Sequence, residues 1–308
     1  MAPPPDRIAV LPAGGPGYLV DAVEAGGGVV VDPADAVALV WGDPDDPGGL
    51  GRVLDDHPRL RWVQLPWAGV EPYTEVIRAH AGRTWTCGKG VYADPVAELA
   101  LALGLAGLRG LDRYARATTW TGQRGTNLVG ADVTIVGGGG IAEALLSMLR
   151  PFRCRVTVVR RTPRPMEGAD RVVGDDRLDE ALAGAVLAVL ALPLLPETVG
   201  LIDRRRLELL APGACLVNVA RGPHVVTDDL VAALRDGTLG SAGLDVTDPE
   251  PLPDGHPLWS LPNVIVTPHT GNTDEMAVPL LGARITDNVR RWLAGEPLVG
   301  PVDPEAGY

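Results

Sequence analysis

The sequence predicts an α/β protein built on a doubly wound parallel sheet. From about Asp132 onward, short runs that are apolar at every position alternate with helical segments. That is the pattern of strands buried on both faces, which parallel sheets produce. A glycine-rich turn at 137–140 joins one such strand directly to a helix. The first ninety residues alternate shorter apolar runs with Gly, Pro and Asp clusters, which predicts a second, smaller α/β domain.

In chain order, RIAVLP (7–12), GVVV (28–31), AVALVW (36–41) and LRWVQLP (60–66) are expected as strands, with a helix near 73–80. From Pro95, PVAELALALGLAGLRGLDRYARATTW reads as one long helix. Pro suits a first helical turn, and apolar residues lie nearly all round, so the helix should be buried and bridge the domains. VTIV (133–136), a helix at 141–149 and RVTVV (155–159) open the regular alternation. It continues through AVLAVLAL (185–192), CLVNVA (215–220), SAGLDV (241–246) and NVIVTP (263–268). Helices are expected at 203–210 and 228–236. The second would be capped by Thr227, Asp228 and Asp229 and stopped by Gly237.

Composition narrows the function. A chain of 308 residues, 46% hydrophobic, suits two domains at ~150 residues each, with one large domain as the alternative. A net charge of −12 argues against nucleic acid, whose phosphates need a basic footprint. Cys87, Cys154 and Cys215 form no CxxC pair, so neither a disulfide framework nor a metal site is expected. The start, MAPPPDRIAV, lacks the features of a signal peptide, and the apolar runs near 97–108 and 181–192 are too short for a bilayer. A cytoplasmic protein without a membrane partner is expected. Lys89 is the single lysine among 27 basic residues, so phosphate contacts must use Arg or backbone amides.

VTIVGGGGIAEALL (133–146) sets Gly137, Gly139 and Ala142 in the GxGxxG/A pattern between strand and helix. Gly137 permits the tight turn, Gly139 lets backbone approach a pyrophosphate, and small Ala142 packs the helix on the strand. The free amides beginning with Gly140 and Ile141 then face the negative charge. An NAD site would carry Asp or Glu on the ribose about 20 residues further on. Here the second strand runs instead into Arg160, Arg161, Thr162, Pro163 and Arg164. A clamp for the 2′-phosphate of NADP is preferred to a solvated basic turn. Arg150, Arg153 and Arg155 belong to the far end of that strand, too distant at ~3.3 Å per residue.

Arg221, Glu250 and His269 each follow a predicted strand at its carboxyl end, where open α/β sheets bind ligands. Together they suit reduction of a 2-keto acid. Arg offers a planar fork to the carboxylate. His, with an ordinary pKa of ~6.5, can protonate a developing alkoxide, and a carboxylate can orient its ring. His224, three residues after Arg221, is the rival acid; His57, His80 and His256 lie in turns or predicted helix.

GGGGIA (137–142), LPLLPET (192–198), NVARG (218–222), LDVTDPEPLP (244–253) and TPHTG (267–271) together resemble the D-isomer-specific 2-hydroxyacid dehydrogenases over nearly the whole chain. The resemblance implies a Rossmann cofactor domain (94–280) inserted into a smaller flavodoxin-like substrate domain (1–93 and 281–308). It implies Arg221 as substrate anchor, His269 as proton donor and Glu250 as its partner. Leu192, Pro193, Val219 and Ala220 would line the cofactor, and Asp245 would meet the nicotinamide carboxamide. Backbone amides around Trp67, Ala68, Gly69 and Val70 would hold the substrate carboxylate. LVWGDP (39–44), ARGPHVVTDDLVAAL (220–234), EPLPDGHPLW (250–259) and the terminal Gly-Tyr are most similar to the glyoxylate/hydroxypyruvate reductases, which would lay Trp41 over the substrate. Ala142 departs from the usual Gly, and Asn272 and Thr273 follow the His in a variable stretch. The expectation is a homodimeric reductase of short 2-keto acids that favours NADPH over NADH. The alternatives are an NAD-linked dehydrogenase of another hydroxyacid, a phosphite or formate, and a non-catalytic nucleotide-sensing protein.

Overall fold

The computed structural model describes Pro4 and residues 6–304. The Gly-Tyr at 307–308 lies outside the described residues. The chain divides into two units, Met1–Tyr92 with Thr273–Tyr308, and Ala93–Asn272. The division therefore falls eight residues earlier at its C-terminal side than the expected 281, and one earlier at the other. The reason is a single continuous helix, Asp274–Ala294, whose buried Ala277, Leu281, Ile285 and Val289 belong to the first unit. It packs on the helix Gly17–Ala25 so closely that a Cβ at Gly26 would lie 2.6 Å from that of Val289.

The first unit is a five-stranded parallel sheet of β1 (Arg7–Leu11), β2 (Val29–Val30), β3 (Ala38–Trp41), β4 (Trp62–Gln64) and β5 (Thr84–Thr86), ordered β2-β1-β3-β4-β5. This is the flavodoxin-like order. Its polar side chains are mutually satisfied: the Trp62 indole donates to Thr86, and Gln64 accepts from both Thr86 and Asn288.

The second unit holds seven parallel strands, β6 (Asp132–Val136), β7 (Arg155–Val159), β8 (Arg171–Val173), β9 (Leu187–Leu190), β10 (Cys215–Asn218), β11 (Ser241–Leu244) and β12 (Val264–Val266). Their order is β12-β11-β10-β9-β6-β7-β8, the doubly wound arrangement with its switch point between β6 and β9. The register aligns Val159, Val136, Leu190, Asn218, Leu244 and Val266 in one row across the sheet. Side chains a few residues beyond this row therefore share one edge, which spans five strand spacings or roughly 24 Å. Two apolar clusters hold the sheet, one on each face: Ile135, Val189 and Val217 belong to one, and Val136, Leu190 and Leu216 to the other.

Two local expectations are corrected. The long helix runs from Ala93 to Leu108, breaks at Gly110 (φ +66°), resumes for Leu111–Tyr114, and gives way to an exposed, irregular 115–127. Apolar patterning had suggested one helix to Trp120, but the left-handed glycine ends it and Trp120 is fully exposed. The helix Thr227–Asp236 begins without a side-chain cap, because the Thr227 hydroxyl donates to the Asp248 carbonyl instead. Gly237, at φ +81°, does stop it. Among the described residues, no helix is long and apolar enough to cross a membrane, and no group of three His, Cys, Asp or Glu side chains could hold a metal.

Candidate active site

The glycine turn follows β6 at the centre of the row. Gly137 has φ +117°, and a Cβ there would fall 2.0 Å from the Ala191 carbonyl oxygen, so only glycine fits. Gly139 precedes the ten-residue helix Gly140–Leu149 in extended backbone, with nothing within 4 Å of where its Cβ would stand. Open space thus faces the free amides of that helix, as a pyrophosphate requires. Ala142 is fully buried in the third position of the motif. These features fit a dinucleotide.

On one side of the turn, β7 ends at Val159 and Arg160 begins the basic stretch. The Arg160 side chain lies over Gly138: a Cβ at Gly138 would meet its Cδ at 2.8 Å and its Nε at 3.0 Å. Arg161, Thr162 and Arg164 are exposed beyond it. Arg155 opens β7 at the opposite end and is paired through two nitrogens with Asp132, while Arg150 pairs with Glu167. Neither belongs to the Arg160 cluster. The sequence reading overlooked Asp175 and Asp176, exposed carboxylates just after β8. Because β8 is a three-residue strand, its signal was too short to place them beside the end of β7.

On the other side lie the ends of β9 to β12. Leu192 and Pro193 follow β9; Val219 and Ala220 follow β10 and are buried. Arg221 comes next in extended backbone, with its carbonyl held by Asn218 Nδ2 at 2.9 Å. Gly222 approaches the next loop so closely that a Cβ would lie 1.9 Å from the Thr247 carbonyl oxygen. That loop carries Glu250, whose Oε2 accepts from the Thr247 amide. Its Oε1 lies 2.7 Å from His269 Nδ1. Both side chains are about half exposed, so the imidazole Nε2 can face a ligand while Nδ1 is held by the carboxylate.

His269 is one of two non-glycine residues with positive φ (+53°) among those described. A histidine in this region costs on the order of 1 kcal/mol, and such strain persists where surrounding bonds over-determine it. Asp245 supplies them. Its buried carboxylate accepts from the Thr267 hydroxyl at 2.6 Å and from the amides of Thr270 and Gly271 at 2.7 and 2.9 Å. Asp245 is therefore the staple of the loop that presents His269, a role sequence reasoning did not give it. His224, the rival acid, is fully buried with its ring nitrogens at the carbonyls of Thr198 and Leu192. It is not placed to meet a substrate.

In the first unit, Trp67, Ala68, Gly69 and Val70 follow the carboxyl end of β4. Among the described residues, the N–H groups of Ala68, Gly69 and Val70 have no acceptor within the chain, an arrangement suited to an anion. Trp41 belongs to that unit's apolar cluster, and its indole donates to the Asp43 carbonyl, which makes it a core residue.

The profile of the "D-isomer specific 2-hydroxyacid dehydrogenase, NAD binding domain" family matches residues 99–271. The chain belongs to the D-isomer-specific 2-hydroxyacid dehydrogenases. These are NAD(P)-dependent oxidoreductases acting on small hydroxy and keto acids. The chain is 39% identical over 267 residues to an uncharacterised protein of Corynebacterium melassecola, covering 85% of this chain and 88% of that one. It is 33% identical over 291 residues to glyoxylate/hydroxypyruvate reductase A of Serratia proteamaculans, covering 90% and 88%. A crystal structure of a family member from Xanthobacter autotrophicus Py2, solved with NADPH and MES, superposes with a TM-score of 0.82 at 30% identity, covering 98% and 99%.

Proposed function

We propose that this dehydrogenase reduces a short 2-keto acid of the glyoxylate or hydroxypyruvate type, with NADPH preferred to NADH. The observation that carries the chemistry is the 2.7 Å pair of Glu250 Oε1 and His269 Nδ1 at the sheet edge that also bears Arg221. Bound NADPH would supply the hydride. Arg221 holds the carboxylate and polarises the carbonyl of the substrate. His269 donates its Nε2 proton to the oxygen as negative charge develops there. Glu250, on Nδ1, fixes the ring so that Nε2 is the donating atom and stabilises the charged imidazole. The product leaves with that proton, and His269 is recharged from solvent.

Gly137, Gly139, Gly140 and Ile141 would hold the pyrophosphate; Leu192, Pro193, Val219 and Ala220 would line the rest of the dinucleotide. The preference for NADPH is supported by Arg160 lying over Gly138, by Arg161 and Thr162 beside it, and by the lack of a carboxylate directly after β7 among the described residues. The Xanthobacter relative, solved with NADPH, agrees with this reading, as does the reductase activity named for the Serratia relative. Asp245 keeps the His269 loop in place, and its carboxylate would also meet the nicotinamide carboxamide. We further propose a cytoplasmic homodimer formed by the second unit, where Leu111, Trp120 and Val129 are exposed.

The test is His269→Gln. General acids contribute ~10²–10⁴-fold, so turnover should fall on that order while NADPH still binds. Near-normal turnover in the variant removes His269 from the mechanism.

A further inference from the structure

His224 is not used by the chemistry above, yet it is wholly buried and its ring lies against backbone carbonyls. Nδ1 lies 3.0 Å from the Thr198 carbonyl oxygen and Nε2 lies 3.3 Å from that of Leu192. These acceptors bound the 192–198 segment that follows β9. Pro193 and Pro196 deprive the segment of two N–H donors, so it cannot join the sheet by a regular ladder. Its internal bonds close on Thr198, whose hydroxyl accepts from the Leu195 amide at 2.8 Å and whose own amide donates to the Leu195 carbonyl. The segment is thus a small self-contained loop, and the carbonyls at its two ends both approach one imidazole.

The ring stands on the turn that presents Arg221. The His224 amide donates to the Arg221 carbonyl at 3.3 Å, and the short Gly222–His224 helix begins at the next residue. Backbone bonds from Gly200 to the Pro223 carbonyl and from Ile202 to the His224 carbonyl, both 2.8 Å, fix the turn beside the chain leaving Thr198. Gly222, against the Thr247 carbonyl, ties the same turn to the Glu250 loop.

We propose that His224 is a positioning residue that clamps the 192–198 segment to the Arg221 turn and thereby sets the affinity for the dinucleotide. This rests on the reading that Leu192 and Pro193 line the cofactor. A neutral imidazole carries one N–H, and carbonyl oxygens only accept, so a neutral ring donates to one of the two. The shorter contact, to Thr198, is the operative bond.

The experiment compares His224→Asn, His224→Gln and His224→Leu with the wild type. It measures the NADPH dissociation constant by tryptophan fluorescence titration of the full-length protein, and then kcat at saturating cofactor. An Asn amide stands near the position of Nδ1 and can donate to Thr198; a Gln amide stands near Nε2. Leaving a buried carbonyl without its donor should weaken NADPH binding on the order of tenfold in His224→Leu and His224→Gln. His224→Asn should return to within about threefold of wild type, and kcat at saturation should change less than affinity in all three. If His224→Leu does not fold, the Asn and Gln pair still decides. Wild-type affinity in His224→Leu or His224→Gln, or His224→Asn as weak as His224→Gln, overturns the proposal. A wild type that binds neither NADPH nor NADH would instead overturn the cofactor reading beneath it.

Discussion

Replacing Glu250 probes the site where two side chains must act as a unit. Glu250 Oε1 lies 2.7 Å from His269 Nδ1, a charge-assisted hydrogen bond when the ring is protonated. Such bonds are worth ~1.5–3 kcal/mol, but with both side chains about half exposed, screening brings this one toward ~1 kcal/mol. Glu250→Gln can still accept from Nδ1–H and so keeps the ring oriented while losing the charge. Its expected cost in kcat is therefore ~5-fold to 10-fold. Glu250→Ala loses charge and orientation together. It should approach the ~10²–10⁴-fold loss expected of His269→Gln, because a free ring seldom points Nε2 at the substrate. The assay is steady-state reduction of the keto acid with saturating NADPH, with cofactor affinity measured separately and expected to hold. Adding Glu250→Ala to His269→Gln should cost little more than His269→Gln alone, since coupled residues are not additive. Full additivity, or wild-type kcat in Glu250→Ala, would refute the idea that the carboxylate works through the histidine.

Arg221→Lys keeps a charge but loses the two-pronged geometry, so both kcat and KM for the keto acid should worsen; unchanged kinetics would place the anchor elsewhere. Gly137→Ala and Gly139→Ala should part company. The first puts a Cβ 2.0 Å from a carbonyl oxygen in positive-φ backbone and should lower the melting temperature. The second meets empty space, so it should fold normally and raise KM for NADPH.

Much of the architecture was legible because parallel strands are apolar at every position. β7 was read to the residue, and β6, β9, β10, β11 and β12 within two residues or so at either end. The strands that escaped notice, β5 and β8, are three residues long. Thr84, Trp85 and Thr86 do not form an apolar run, and Arg171, Val172 and Val173 are one residue short of one. Helices Gly17–Ala25 and Pro47–Asp56 were hidden by glycines and prolines at their starts. At the site, residues at strand ends could be found because the chain direction of a parallel sheet puts all carboxyl ends on one edge. The Glu250–His269 pair was implied by the family resemblance; what could not be read was which polar groups Asp245 and His224 touch. The Asp245 staple depends on a hydroxyl and two amides 22 to 26 residues away, and the burial of His224 depends on a loop more than 20 residues earlier. Such contacts are made by folding and leave no spacing in the sequence.

The most direct test of the central claim is kcat/KM of the wild-type enzyme for glyoxylate and hydroxypyruvate, measured with NADPH and with NADH at two ionic strengths. Two charged hydrogen bonds from Arg160 and Arg161 would give a preference on the order of 10²–10⁴-fold before screening, reduced toward the lower end at an exposed edge. The expected result is turnover of at least one of these keto acids, NADPH favoured by about 10²-fold, and a gap that narrows as salt is added. No turnover with either acid, or a preference for NADH, would contradict the account.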